Sequence, residues 1–114
     1  MHELSIAGNL FDILMDIAKK NNLKKIERVV LSVGAMRQIV PIAMRTAFEA
    51  VTAGSLAEGA VLEMEAVPVE MRCLSCGAVF AVEQNIFVCP FCSAVRLELI
   101  SGDELIIKNI EGED

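Results

Sequence analysis

Apolar and polar residues follow one another along this chain with a period that changes from segment to segment. Between Leu4 and Lys20 the polar side chains recur at helical spacing and apolar side chains fill the other side, which predicts an amphipathic helix with a wide apolar face. The pattern returns behind Pro41, a residue suited to the first turn of a helix, and ends near Gly54. Two helices are therefore expected.

Four other segments are apolar, β-branched or alternating, as strands are: residues 25–33, 61–67, 95–100 and 104–110. The first stops at Gly34, and Pro68 ends the second. The last two flank Ser101-Gly102-Asp103, which predicts a tight hairpin turn.

These elements predict an α+β fold with two lobes. The first lobe, residues 1–68 with 102–114, contains both helices and a three-stranded sheet. The second lobe, residues 69–101, contains all four cysteines and is inserted between two strands of the first. A chain of 114 residues has room for one domain or two small lobes, and the acidic end, residues 111–114, is expected to be solvated.

The composition restricts where in the cell this protein is expected and which partners it is expected to have. With 54% hydrophobic and 23% charged residues the chain is a packed protein, but no apolar run reaches the roughly 18 residues of a membrane span. The start lacks the basic and apolar regions of a secretion signal, so a cytoplasmic protein without a membrane partner is expected. The net charge of −6 repels phosphate backbones, which favours a protein or metal-ion partner over a nucleic acid.

The cysteines form two pairs, Cys73-x-x-Cys76 and Cys89-Pro90-x-Cys92, separated by twelve residues. Cytosolic thiols stay reduced, so metal ligation is favoured over disulfides. Four sulfurs suit tetrahedral zinc, and a site closed by four protein ligands is structural. Because the lobe has few apolar residues, the metal is expected to supply most of its folding free energy.

Other cysteine chemistries stay open at this point. A four-thiolate tetrahedron also suits iron, which would make the chain a rubredoxin-like electron carrier. A zinc-ribbon interaction adaptor is another alternative, although residues 71–95 hold a single basic residue, Arg72, where a nucleic-acid face needs a cluster.

The chain's only histidine, His2, stands beside the amino terminus. Its imidazole, the amide nitrogens of His2 and Glu3 and the free amine of Met1 can close chelate rings in one plane. Planar nitrogen coordination is typical of Ni(II) or Cu(II). An exposed histidine without a role is the alternative interpretation.

Catalysis is not expected. One histidine, no Tyr, no Trp and no glycine-rich phosphate loop leave too few groups for an active site. The apolar side of the first helix and the six methionines have two interpretations, core packing and a partner or homodimer surface, of which core packing is the commoner.

Taken together, Met1-His2-Glu3, Val33-Gly34, Glu58-Gly59, the two cysteine pairs and Ser101-Gly102-Asp103-Glu104-Leu105 make the sequence resemble the HypA/HybF family of hydrogenase nickel-incorporation proteins. The resemblance covers essentially the whole chain. It implies a nickel metallochaperone that works with a partner GTPase to load the large-subunit precursor of [NiFe]-hydrogenase, and in some organisms urease.

The resemblance also assigns residues. It implies nickel as cargo at His2, with the Met1 amine and the amides of His2 and Glu3 nearby, and zinc at the four cysteines. Some relatives carry a further histidine beside the second cysteine pair, where this chain has Ser93. The fourth nickel ligand is therefore open among the Met1 amine, a carboxylate such as Glu3, water and a partner group.

Overall fold

The computed structural model describes residues 2–114. Along them the elements run α1 (His2–Lys20), β1 (Lys25–Gly34), a 3-10 turn (Ala35–Arg37), α2 (Pro41–Thr52), β2 (Val61–Val67), β3 (Glu70–Cys73), β4 (Val79–Ala81), β5 (Leu97–Ser101) and β6 (Leu105–Glu113). The strands form two three-stranded sheets, ordered β2-β1-β6 and β4-β3-β5. The predicted α+β fold, with two helices, a three-stranded sheet and a separate cysteine lobe, is confirmed.

The chain divides into two compact units. Residues 2–31, 39–65 and 106–114 form the helical unit, and residues 32–38 and 66–105 form the cysteine unit. The sequence predicts different bounds, with residues 1–68 and 102–114 in one domain and residues 69–101 in the other. Those bounds stay a prediction.

The core of the helical unit is built from one face of each helix. Along α1 a buried residue recurs every three or four positions, and in α2 Met44, Ala47, Phe48 and Thr52 are likewise spaced so that they share one face. The two helices contact each other. The buried residues of both helices and β1 include Ala7, Leu10, Leu14, Ala18, Ile26, Val29, Leu31, Met44, Ala47 and Phe48. Burying a large apolar side chain of this kind contributes about 1.5–3 kcal/mol.

Both helices stop where the backbone turns left-handed. Lys19 and Lys20 occupy the last turn of α1, where positive charge complements the helix dipole, and Asn22 follows with φ +55°. After α2, Gly54 adopts φ +78° two residues past the last helical residue. The predicted stops are thus correct to within two residues.

In the cysteine unit β3 is the central strand. It pairs antiparallel with β4, Met71 opposite Phe80, and with β5, Met71 opposite Leu99. The buried cluster of this unit comprises Val69, Met71, Cys73, Phe80 and Cys89. Two of these five side chains are cysteines, so the apolar core is small.

The predicted hairpin turn at Ser101-Gly102-Asp103 is wrong. The strand before it, β5, pairs with β3, whereas the strand after it, β6, belongs to the other sheet. Gly102 adopts φ +113°, and its carbonyl accepts a hydrogen bond from the Met36 N–H at 2.8 Å. A Cβ on Gly34 would overlap that same carbonyl, so two chain segments cross at a pair of glycines.

The acidic end, residues 111–114, is exposed, as expected, although β6 continues through it to Glu113. The Arg28 guanidinium bonds both Glu63 and Glu111 across the first sheet. Since both carboxylates are about half exposed, water screens these ion pairs and each contributes little to stability.

Candidate metal centre

Two short loops hold the cysteines and have the same backbone hydrogen bonds. The first cysteine loop is residues 73–78 and the second is residues 89–94. In each, the N–H of the leading cysteine donates to the carbonyl five residues later, at 2.8 Å in the first loop and 2.9 Å in the second. In each, the fifth residue donates back to the carbonyl of the leading cysteine at 2.9 Å. The two loops are therefore equivalent turns.

The fifth residue of each loop is left-handed. It is Gly77, with φ +79°, in the first loop and Ser93, with φ +63°, in the second. Glycine adopts this conformation without strain, whereas serine carries a Cβ penalty. The same turn is thus made at a higher conformational cost in the second loop.

The loops bring the four sulfurs of Cys73, Cys76, Cys89 and Cys92 within 4.8 Å of one another. Two contacts each join one cysteine of the first loop to one of the second: Cys73 Sγ lies 3.5 Å from Cys92 Sγ, and Cys76 Sγ lies 3.7 Å from Cys89 Sγ. A tetrahedron with metal–sulfur bonds of about 2.3 Å has edges of about 3.8 Å. All four cysteines are free thiols. The arrangement therefore fits one tetrahedral metal ion of the zinc type.

The environment of the sulfurs differs between the leading and trailing cysteines. Cys73 and Cys89 are buried, whereas Cys76 and Cys92 are exposed. Cys73 Sγ accepts from the backbone N–H groups of Cys76 and Ser75, each at 3.4 Å. These two donors, Cys76 first, together with the neighbouring thiols, lower the pKa of Cys73 to about 6.

The pKa of Cys92, the trailing cysteine of the second loop, shifts in the opposite direction. The N–H of Ala94 lowers the pKa of Cys92, but the Cys73 sulfur beside it, partial desolvation of the thiol and the other two sulfurs outweigh this and raise that pKa to about 12. Without a metal, therefore, Cys73 loses its proton more readily than Cys92 does. A divalent cation held by the four cysteines would displace the remaining thiol protons and stabilise all four thiolates.

The amino-terminal residues predicted to bind metal lie in a different part of the chain. Met1 is outside the described residues, His2 is the first residue of α1 and is exposed, and Glu3 is half-buried. The first four N–H groups of an α-helix have no acceptor within the helix. The amide nitrogens of His2 and Glu3 are among these four.

The Glu3 carboxylate has a partner that sequence reasoning missed. Its Oε2 accepts a hydrogen bond from the backbone N–H of Val40 at 3.3 Å. This bond is the main cause of a lowered pKa for Glu3. No residue type in the sequence marks the contact, because it joins a side chain to main chain 37 positions away.

Comparisons with known proteins place this geometry in context. The family model described as "Hydrogenase/urease nickel incorporation, metallochaperone, hypA" matches residues 1–112. The chain is 39% identical over 113 residues to a protein of Acidithiobacillus ferrooxidans and 40% identical over 113 residues to one of Azotobacter chroococcum, both named hydrogenase maturation factor HypA. Each alignment covers 99% of this chain and 100% of the relative.

A solved structure is similar as well. The solution structure of the Ni metallochaperone HypA from Helicobacter pylori superimposes with a TM-score of 0.73 at 30% sequence identity, over 99% of this chain and 98% of that one. Within residues 2–114, neither helix has the length and apolar character needed to cross a membrane.

Proposed function

Because the chain belongs to the HypA family of hydrogenase/urease nickel-incorporation metallochaperones, we propose that it carries Ni(II) at its amino terminus to [NiFe]-hydrogenase during maturation. The observation that carries this proposal is the family match over residues 1–112, which includes both the chain start and the four cysteines. The family is one of metallochaperones, which agrees with the prediction that the chain is not an enzyme.

Zinc is the proposed resident metal at Cys73, Cys76, Cys89 and Cys92. The sulfur separations of 3.5 and 3.7 Å are close to the edge of a zinc–thiolate tetrahedron, about 3.8 Å. Four protein ligands leave no open position, so this zinc has a structural role. A purified protein holding one zinc per chain is colourless, whereas a four-thiolate iron site of the rubredoxin type is coloured and would contradict the assignment.

Nickel is the proposed cargo at the chain start. The donors are the His2 imidazole, the amide nitrogens of His2 and Glu3, and the Met1 amine. Since α1 begins at His2, these amides have no acceptor within the helix, and deprotonation for metal binding breaks no helical hydrogen bond. Such a set of nitrogens in one plane suits Ni(II) and excludes calcium and magnesium, which prefer oxygen.

The test is a nickel titration of untagged protein, followed by the visible absorption of planar nickel. We expect His2→Ala to abolish this absorption and to weaken nickel binding at least about tenfold. Loss of a residue that only supports a metal ligand already lowers metal affinity about 10–100-fold, so loss of a ligand should cost no less. Ser5→Ala is the matched control, since Ser5 is exposed in the same helical turn. Zinc content should stay at one ion per chain in both variants. Indistinguishable titrations of His2→Ala and the parent protein would remove the nickel assignment.

The proposed partners are those of hydrogenase maturation: a maturation GTPase and the large-subunit precursor of [NiFe]-hydrogenase in the cytoplasm, with urease as a further recipient. Cells without their own factor of this family should regain hydrogenase activity on limiting nickel when they produce this chain, but not with His2→Ala. Urease activity measured in the same cells separates the two recipients. Restoration by His2→Ala would refute a carrier role for the amino terminus.

A further inference from the structure

We propose that the Glu3 carboxylate positions the nickel site and is not itself a nickel ligand, a role that rests on the proposed function. By accepting the Val40 N–H it fixes the start of α1 to the start of α2. Residue 3 then contributes its backbone nitrogen to the metal, and its side chain holds the backbone in place.

The start of α2 cannot cap itself. Its N-cap residue is Val40, whose side chain has no hydrogen-bonding atom, and Pro41 follows at the first helical position. In a capping box, the third helical residue is a Glu or Gln whose side chain bonds the N-cap N–H. Here the third helical residue is Ala43. Glu3 supplies the missing acceptor from another helix.

The start of α1 has little packing to hold it in place. His2, Leu4 and Ser5 are exposed, and the first buried residue of the helix is Ala7. A groove of about 470 Å³ lies here between the two helices, lined by small residues of α2 such as Ala43 and Ala47. Because side-chain packing is sparse over the first turn, a single directed hydrogen bond has a large share in fixing its position.

This arrangement bears on the nickel donors directly. His2 immediately precedes Glu3, so the bond that anchors residue 3 also restricts the two amide nitrogens proposed as donors. A planar metal site tolerates small errors in donor position poorly, and a fixed backbone reduces the ordering cost of binding. The carboxylate therefore acts through the main chain that it orients.

The experiment compares Glu3→Gln with Glu3→Ala by nickel titration. Glutamine keeps a side-chain oxygen that can accept from Val40 but removes the negative charge that a metal ligand would provide. We expect Glu3→Gln to bind nickel within about twofold of the parent protein. Glu3→Ala should bind about fivefold more weakly, the usual effect of losing one helix-capping hydrogen bond. Equal losses in the two variants would overturn the proposal and make the carboxylate a ligand.

A change on the other side of the bond provides an independent check. Val40→Pro removes the donor N–H without altering Glu3, and the Val40 backbone, φ −84° and ψ 115°, is close to what proline and a residue before Pro41 adopt. We expect Val40→Pro to lower nickel affinity as much as Glu3→Ala does. The double variant, Glu3→Ala with Val40→Pro, should bind no more weakly than either single variant. Parent-like nickel binding by Val40→Pro would refute the role of this bond.

Folding and function are separated by two controls. Far-ultraviolet circular dichroism and zinc content should match the parent protein in all variants, and if Val40→Pro loses helix, the Glu3→Gln and Glu3→Ala comparison decides alone. If His2→Ala abolishes binding while Glu3→Gln equals Glu3→Ala, only the positioning role fails. If His2→Ala binds nickel normally, the proposed function itself fails.

Discussion

The fifth residues of the two cysteine loops offer a pair of substitutions with opposite expected effects. Gly77 and Ser93 occupy equivalent left-handed positions in turns with the same hydrogen bonds. Gly77→Ala puts a Cβ where the backbone disfavours one, and Ser93→Gly removes a Cβ from the equivalent position. The first should therefore destabilise the zinc-loaded cysteine unit and the second should stabilise it.

The magnitude follows from two opposing effects. A non-glycine residue in the left-handed region costs about 1–2 kcal/mol. Glycine in the unfolded chain has more conformational entropy, which offsets about 0.4–1 kcal/mol of that difference. A Cβ on Gly77 meets nothing within 4 Å, so no steric overlap adds to the strain. The net effect is about 0.5–1 kcal/mol in each direction.

The assay is competition for zinc between the protein and a chelator of known affinity. If zinc binding at the proposed site is coupled to folding of the cysteine unit, the expected stability change appears as a shift of about two- to fivefold in apparent zinc affinity. Gly77→Ala should lower the affinity and Ser93→Gly should raise it.

Gly8→Ala is the matched control for this assay. Gly8 lies within α1 and a Cβ there also meets nothing within 4 Å, so alanine should stabilise the helix by about 0.5–1 kcal/mol without changing zinc affinity. Shifts of the same sign for Gly77→Ala and Ser93→Gly would refute the equivalence of the two turns.

Two further predictions concern zinc removal and acid. Chelation should unfold the cysteine unit, because its three buried apolar side chains contribute about 1.5–3 kcal/mol each against roughly 10–16 kcal/mol from structural zinc; unchanged backbone NMR shifts from Met71 to Val95 in the apo protein would contradict this. The Arg28 guanidinium lowers the pKa of Glu63 from its usual 4.5, so this pair stabilises the fold above pH 4.5 and the contribution disappears as the pH falls through the lowered value. Thermal unfolding between pH 7 and 3 should therefore show a smaller loss of stability in acid for Glu63→Gln than for the parent protein. An equal loss in the two proteins would contradict a stabilising role for the Arg28–Glu63 ion pair.

Hydrophobic periodicity predicts both helices and the strands β1, β2, β5 and β6, but not β3 or β4. The bounds predicted for the helix behind Pro41 and for the strand Val61–Val67 agree closely with the structure, because a proline and an alternating pattern mark these elements. Periodicity cannot show which strand pairs with which, since pairing is a long-range choice between similar apolar faces. The error at Gly102 has this origin: a turn sequence between two strands predicts a hairpin, whereas the glycine is needed for a close chain crossing.

The candidate site likewise has one part that the sequence predicts and one part that it does not. Four cysteines at C-x-x-C spacing constrain one another locally, so the sequence alone predicted that their sulfurs would converge. The contact between Glu3 and Val40 left no signal, because its donor is a backbone N–H that every residue except proline has. Main-chain contacts between distant segments are the part of a site that residue types do not encode.

On the proposed function, the two metal sites differ in the charge that surrounds the ion. Four thiolates more than neutralise a divalent zinc, so that site is expected to bind its ion tightly. The proposed nickel donors are instead at the start of α1, where the helix dipole presents about half a positive charge and disfavours a cation. Deprotonated amide nitrogens offset this field, so binding releases protons and affinity falls as the pH falls. A carrier needs this combination, because the same helix end that offers free amide nitrogens also weakens the hold on the cargo.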